Sequence, residues 1–257
     1  MSSAGNPLLE EELRRAFGRR EQHLLFLHYV LIMSVVLFFA WPKRYYYDYL
    51  QTNALPFPYD VLGIAVFVVA AYLGFAALPR DAYDRDSHAP AEWLRYTPLS
   101  PRQLLGGKCL LHFLSVSWFL LLSLPLLTLN HLALGFAWKQ LGATLGLLLV
   151  SLTAYRLLGL LLAVLLERRE DWLGRAGMAT YLLLAFGTAF LAPRFNVISA
   201  LISLSQPEAA SPALQVGALR LTAPVLAALG HLGAGSAAVG VLALLFRRVK
   251  RKAAAHG

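Results

Sequence analysis

Long apolar runs with few charged side chains alternate with short polar segments along this chain. Six of these runs are long enough to cross a hydrocarbon core of about 30 Å as α-helices. Lipid-exposed strands would leave backbone groups unpaired, and the period-two alternation of a membrane barrel is absent, so helices are predicted. The six predicted spans are Leu24–Trp41, Val61–Leu78, Leu104–Leu129, Leu141–Leu166, Trp172–Ala192 and Thr222–Phe246.

Composition points in the same direction. The chain has 257 residues, 58% of them hydrophobic and 14% charged, whereas a soluble domain averages about 45–50% apolar and about 25% charged residues. This balance argues against a water-soluble enzyme and excludes a disordered chain. Because the spans use so much of the sequence, a single transmembrane domain over residues 1–257 is predicted. The single cysteine, Cys109, leaves the redox compartment open.

The positive charges predict the orientation. Seventeen Lys and Arg residues fall on one side of the predicted spans and five on the other, with Arg156 inside a span. The positive-inside rule therefore places both termini in the cytoplasm. The net charge of +9 then reflects loop placement, and no nucleic-acid partner is predicted.

Two shorter segments are also predicted to be helical. Leu8–Gln22 is basic and amphipathic, and Glu10/Arg14 and Glu11/Arg15 at helical spacing support a helix there. Phe195–Leu204 is apolar but too short to cross, so a short interfacial or re-entrant helix is predicted before the last span. In the spans themselves, small residues predict close helix approach at Gly142, Gly146, Gly230 and Gly233.

Motifs for chemistry are largely missing. Gly106-Gly107-Lys108 is not a phosphate-binding loop, because Arg102 stands where its first glycine is needed and Cys109 replaces the magnesium-binding Ser or Thr. No zinc-binding spacing is present either. We therefore predict no catalytic residue, no metal site and no cofactor bound by this chain.

Three polar residues within the spans leave alternatives open. His28 and His112 lie at similar predicted depths and are candidates for a metal or haem pair, although bonds to neighbouring helices are the favoured interpretation. Arg156 is an ionisable side chain deep in a span. It is interpreted either as a cation on a substrate path or at a lipid headgroup, or as a side chain that snorkels to the interface.

The loop between the second and third spans has the most specific pattern. Pro90 favours the start of a short helix, and Thr97-Pro98 ends it, because the residue before proline disfavours helical backbone. Ser100-Pro101-Arg102-Gln103 then predicts a capping box with proline at the first helical position. The prediction is a short helix, a turn and a rigid start of the third span.

This segment resembles the permease subunit of ABC-2-type ABC transporters. The resemblance is carried by Glu92–Pro101, by Gly107-Lys108 and by Leu124-Pro125-Leu126. It implies that the loop is a coupling helix that docks on a separate ATPase. It also implies that Leu8–Gln22 is an interface helix that lies along the membrane surface against the same ATPase. The docking residues would be Ala91, Glu92, Trp93, Leu94, Arg95 and Tyr96, and the loop-to-helix motif would be Thr97, Pro98, Ser100, Pro101 and Lys108.

The resemblance also implies the partners and the location. Two copies of an ATPase subunit would hold ATP and magnesium, and a second permease chain, identical or not, would complete an exporter in the cytoplasmic (inner) membrane of a bacterium. The chain itself would be a transport subunit and not an enzyme. The alternatives are a membrane-embedded haem or redox protein that uses His28 and His112, and a membrane assembly factor that transports nothing.

Overall fold

The computed structural model describes residues 20–40, 57–76, 94, 99–134, 137–166, 170–205, 214–216 and 219–256. Most of the predicted interface helix, Leu8–Gln22, lies outside these residues.

The described part is built from α-helices. They are α1 Arg20–Ala40, α2 Phe57–Ala76, α3 Pro101–Leu134, α4 Trp138–Leu165, α5 Glu170–Leu182, α6 Thr188–Leu191, α7 Val197–Ser205 and α8 Ala223–His256. A π-helical turn, Leu183–Gly187, continues α5 into α6, and a 3-10 turn, Pro193–Phe195, precedes α7. The one departure from helix among the described elements is a short antiparallel hairpin, β1 Leu214–Val216 and β2 Leu219–Leu221, which was not predicted.

Within the described residues each predicted apolar run is largely helical, so the helical fold class is confirmed. The fifth run forms a continuous helical stretch through the π turn, and the short apolar segment before the last run forms α7. The largest difference in length is at α8, which continues beyond the predicted end at Phe246 to His256. Sequence hydropathy ends at the first basic residues, whereas Arg, Lys and Ala favour helix and continue it.

Three helices in the described part are long and apolar enough to cross a membrane. They are Pro101–Leu132 within α3, Trp138–Leu165, which is α4, and Ala223–Lys252 within α8. Two shorter apolar stretches, His23–Phe39 and Val61–Leu73, belong to α1 and α2. These features are compatible with an integral membrane protein.

Helix α4 lies at the centre of the packing, in contact with α2, α3, α5, α7 and α8. An aromatic group marks this core, because the Tyr155 ring packs edge-on against Phe67 at 5.4 Å and stacks with His231 at 5.5 Å between centroids. At Gly235 α8 approaches α4 closely, because an added Cβ would lie 3.4 Å from Ala154. The glycines that open this approach are therefore not the ones predicted in α4, since Gly142 and Gly146 have no neighbour within 4 Å at that position.

A polar cluster joins the π turn to α7. Asn196 donates from Nδ2 to the Ala185 carbonyl at 2.9 Å and to Thr188 Oγ1 at 2.7 Å, and its Oδ1 accepts from the Ser199 amide at 3.0 Å. We call Ala185, Thr188, Asn196 and Ser199 the Asn196 cluster. Asn196 is buried, and its three bonds use both amide protons and the carbonyl oxygen, as a buried amide requires.

Candidate functional site

The start of α3 has the predicted capping geometry. The Ser100 amide donates to Gln103 Oε1 at 2.9 Å, and the Gln103 amide donates to Ser100 Oγ at 3.2 Å. Pro101 is the first residue of the helix. The capping box is thus confirmed, and it fixes the angle at which the chain enters α3 because two backbone amides are satisfied reciprocally.

Leu94 is the member of the predicted docking set that the structure describes, and it is fully buried. Its backbone is helical, as predicted for that position. Its side chain packs into an apolar cluster formed with the start of α3, the end of α4 and the end of α8. We call this the Leu94 cluster: Leu94, Leu99, Leu104, Leu160, Leu242 and Phe246.

In this conformation the Leu94 side chain is enclosed by α3, α4 and α8. This packing anchors Leu94 to the helices, and the assignment of the docking set stays a prediction. The other five docking residues, together with Thr97 and Pro98, lie outside the described residues: Ala91, Glu92, Trp93, Arg95 and Tyr96.

A polar bond closes the Leu94 cluster. Lys250 Nζ, near the end of α8, donates to the backbone carbonyl of Leu94 at 3.1 Å. In the sequence analysis Lys250 is only one of the seventeen positive charges that predict the orientation. The spacing contains the missing signal, because Leu242, Phe246 and Lys250 follow one another at four-residue intervals and therefore share one face of a helix.

Lys108, the last residue of the predicted motif, lies within α3 and is half-buried. It follows Gly107, which is buried, in a continuous helix that begins at Pro101. A phosphate-binding loop needs non-helical backbone whose amides face the anion, so a regular helix at this position agrees with the absence of that motif.

Arg156 is half-buried on α4 and points across to α3. Its guanidinium carbon lies 5.7 Å from the centroid of the buried Phe119 ring, within the range of a cation–π contact. An Arg at the centre of a membrane helix costs about 2.5–3.5 kcal/mol on insertion scales. The aromatic face offsets part of that cost and orients the guanidinium between the two helices.

The two candidate haem ligands differ in their surroundings. His28 is exposed on α1, and its Nδ1 is 2.6 Å from the Leu24 carbonyl of its own helix. His112 on α3 is buried, and its Nε2 has no hydrogen-bond partner among the described residues. One imidazole is engaged by its own helix and the other is enclosed in the protein, an arrangement that does not favour a facing ligand pair.

Comparison with known proteins assigns no family. None of the models of known protein families matches the chain, and no curated protein is significantly similar to it. The resemblance on Glu92–Pro101 therefore stays a prediction.

Proposed function

We propose that the chain is the transmembrane permease subunit of an ABC-2-type ABC exporter. In this proposal α1–α4, the α5–α6 stretch and α8 are the six spans, and both termini are in the cytoplasm of a bacterial cell. ATP is hydrolysed by a separate subunit present in two copies, and a second permease chain completes the complex.

The observation that carries the proposal is the Leu94 cluster. One residue of the loop before α3 is held by the start of α3, the end of α4 and the end of α8 at the same time. Because packed protein interiors are hardly compressible, a displacement of Leu94 obliges the side chains of three helices to shift with it so that the packing stays dense. This is the mechanical connection that a permease driven by an external ATPase requires.

The capping box supports the same mechanism. The backbone has little conformational freedom where it enters α3, because Ser100 and Gln103 bond reciprocally and Pro101 fixes its own φ. A displacement that reaches Ser100 is therefore passed on to α3 and is not absorbed at this junction. In the proposal Leu94 is the anchor, and Ala91, Glu92, Trp93, Arg95 and Tyr96 remain the residues that contact the ATPase.

Arg156 is the proposed contact of the export path. A half-buried guanidinium between α3 and α4 favours an acidic substrate over a neutral or cationic one.

The test is purification of the affinity-tagged chain from its native membranes together with its partners, followed by measurement of magnesium-dependent ATP hydrolysis. We expect a nucleotide-hydrolysing subunit to co-purify with the unmodified chain. Trp93→Glu should reduce the recovered activity at least about tenfold at equal yield of the chain, since a buried unpaired charge at an interface costs about 2–5 kcal/mol.

The matched control is Trp138→Glu. Trp138 is the first residue of α4, at the other end of that helix from the Leu94 cluster, and it is exposed. We expect this variant to keep its ATPase partner. If no ATP-hydrolysing subunit accompanies the unmodified chain, the transporter proposal is wrong. If Trp93→Glu retains full activity, the docking segment is elsewhere.

A further inference from the structure

Three polar side chains, His112 on α3 and Thr153 and Arg156 on α4, place hydrogen-bond donors in an apolar region between the two helices. Arg156 is half-buried on α4 and His112 is 5% exposed on α3. The buried atoms His112 Nε2 and Thr153 Oγ1 have no hydrogen-bond partner in the described part of the chain. Buried polar atoms are almost always bonded, so two unsatisfied atoms close to a charged side chain indicate an additional bonding group.

Helix geometry brings these groups together. Thr153 and Arg156 are three residues apart and therefore neighbours on one face of α4. The Arg156 guanidinium lies 5.7 Å from the Phe119 ring of α3, and His112 precedes Phe119 by two helical turns on the same face of α3. The positive charges of Arg156 and of Lys108 both act on His112 electrostatically.

The combined chemistry is that of an anion site. Arg N–H groups and the Thr hydroxyl donate hydrogen bonds, and His112 Nε2 donates when it carries the ring proton. Neither α3 nor α4 contains an Asp or Glu residue, so the two helices supply positive charge and donors but no carboxylate. The oxygens of a phosphate accept several charge-assisted bonds at once, so a phosphate here would satisfy His112 Nε2 and Thr153 Oγ1 and bond the Arg156 guanidinium.

The depth of the site matches a lipid headgroup. Trp138 begins α4 and is exposed, as is the adjacent Lys139, and Trp side chains mark the edge of the hydrocarbon layer. Arg156 lies about 27 Å further along α4, close to the opposite edge of a layer about 30 Å thick. Lys108 lies between the start of α3 and His112, so it adds a positive charge on that side of the site.

We propose that His112, Thr153 and Arg156 form a binding site for the phosphate of an acidic lipid headgroup between α3 and α4. The site shares Arg156 with the proposed export path, but it occupies one leaflet and its binding test needs neither an ATPase nor transport. A free phosphate has the same chemistry and is the competing source of the anion.

The test is a titration of the purified chain in detergent with dioleoyl phosphatidic acid, followed by thermal unfolding and by native mass spectrometry of retained lipid. Dioleoyl phosphatidylcholine is the neutral probe of equal chain length, and inorganic phosphate is the free-anion probe. We expect phosphatidic acid to stabilise the chain and to be retained at one tight site, with at most weak stabilisation by phosphatidylcholine. Tight binding of phosphatidic acid with no competition from inorganic phosphate supports a headgroup site, whereas stabilisation by inorganic phosphate alone overturns the lipid assignment.

Substitutions distinguish lipid binding at this site from a general effect of surface charge. Arg156→Gln should weaken phosphatidic acid binding about tenfold, and Thr153→Val, which keeps the side-chain shape, about threefold. The matched control is Arg248→Gln, which removes one exposed cation from the end of α8 and should change the affinity less than twofold. Equal effects of Arg156→Gln and Arg248→Gln, or no preference of the unmodified chain for phosphatidic acid over phosphatidylcholine, would overturn the proposal.

Discussion

Two clusters near opposite ends of α8 are held together by opposite means. At one end, the Leu94 cluster joins α3, α4 and α8 through leucine and phenylalanine side chains, with a single bond from Lys250 at its edge. At the other end, the Asn196 cluster consists of directional hydrogen bonds to a buried amide, and Phe195 beside it packs onto Gly230 of α8. Gly230 and Phe246, which make these two contacts on α8, are about 24 Å apart along the helix axis.

This difference between the Leu94 cluster and the Asn196 cluster indicates which end of α8 can move. Apolar contact is non-directional, so side chains can slide over one another with little loss as long as the packing stays dense. Hydrogen bonds of a buried amide require fixed geometry, because a stranded polar atom costs about 1–3 kcal/mol. We therefore expect the Asn196 cluster to act as the fixed end and the Leu94 cluster to act as the end that shifts when its loop is displaced.

The largest expected effect is loss of packing at the Leu94 cluster. Phe246 is fully buried there, and Phe246→Ala should lower the free energy of unfolding by about 3 kcal/mol, since truncation of a buried aromatic side chain leaves a cavity. Unfolding in detergent titrated with SDS measures this loss. Phe190→Ala is the control, because Phe190 of α6 is 88% exposed and its truncation should change the free energy by less than about 0.5 kcal/mol. Equal losses in the two variants would show that the Leu94 cluster does not hold the helices together.

Most of the helical architecture was predictable, because apolar runs of sufficient length have few other solutions. The capping box at Ser100 and Gln103 was predictable for a similar reason, since its four residues determine the geometry locally. The partners of Gly235 were not predictable. Which small residue faces α4 depends on how α8 is rotated, and that rotation is set by packing between helices that are far apart in sequence.

The candidate site was only partly predictable. The pattern singled out the loop that contains Leu94, but exposed and buried positions in a mixed polar loop cannot be distinguished without knowing what covers them. Lys250 and Asn196 were missed for a related reason, because their bonds join residues 156 and 11 positions apart, respectively. The spacing of Leu242, Phe246 and Lys250 places them on one face of α8, but it does not identify the distant carbonyl that Lys250 bonds.

The second largest effect is expected at the Asn196 cluster. Asn196→Ala removes three hydrogen bonds and should lower the free energy of unfolding by about 2 kcal/mol, less than three isolated bonds because Thr188 keeps its bond to the Leu184 carbonyl. Thermal unfolding in detergent measures the change. Ser203→Ala is the control on α7, since Ser203 bonds only locally, to the Ala200 carbonyl, and its loss should be below about 0.5 kcal/mol. If Asn196→Ala left the free energy of unfolding unchanged, the Asn196 cluster would not be the fixed end.

The third largest effect on stability is expected at Gly230 of α8, and Gly233 on the same helix is its control. An added Cβ at Gly230 would lie 2.9 Å from Cδ1 of Phe195, whereas one at Gly233 would meet nothing within 4 Å. Gly230→Ala should therefore lower the free energy of unfolding by about 1 kcal/mol through overpacking. Gly233→Ala should be neutral or stabilising, because alanine favours helix. If both variants were stabilised alike, the contact of Phe195 with α8 would have no part in fixing that end.

The smallest effect on stability is expected at Lys250, although its effect on opening is specific. Lys250→Met keeps the alkyl chain but removes the donor to the Leu94 carbonyl, a bond worth about 1 kcal/mol, so the population with the cluster open should rise about fivefold. Leu99 is 9% exposed, and Leu99→Cys in a Cys109→Ser background reports opening by its rate of maleimide labelling.

The control variants make this prediction a test of the bond rather than of charge. Lys252→Met removes an equal charge from an exposed position two residues further along α8 and should leave the labelling rate unchanged. Lys250→Arg retains a donor and should restore slow labelling. If Lys250→Met and Lys252→Met label at the same rate, the lysine only adds positive charge, and the Leu94 cluster is held by its apolar side chains alone.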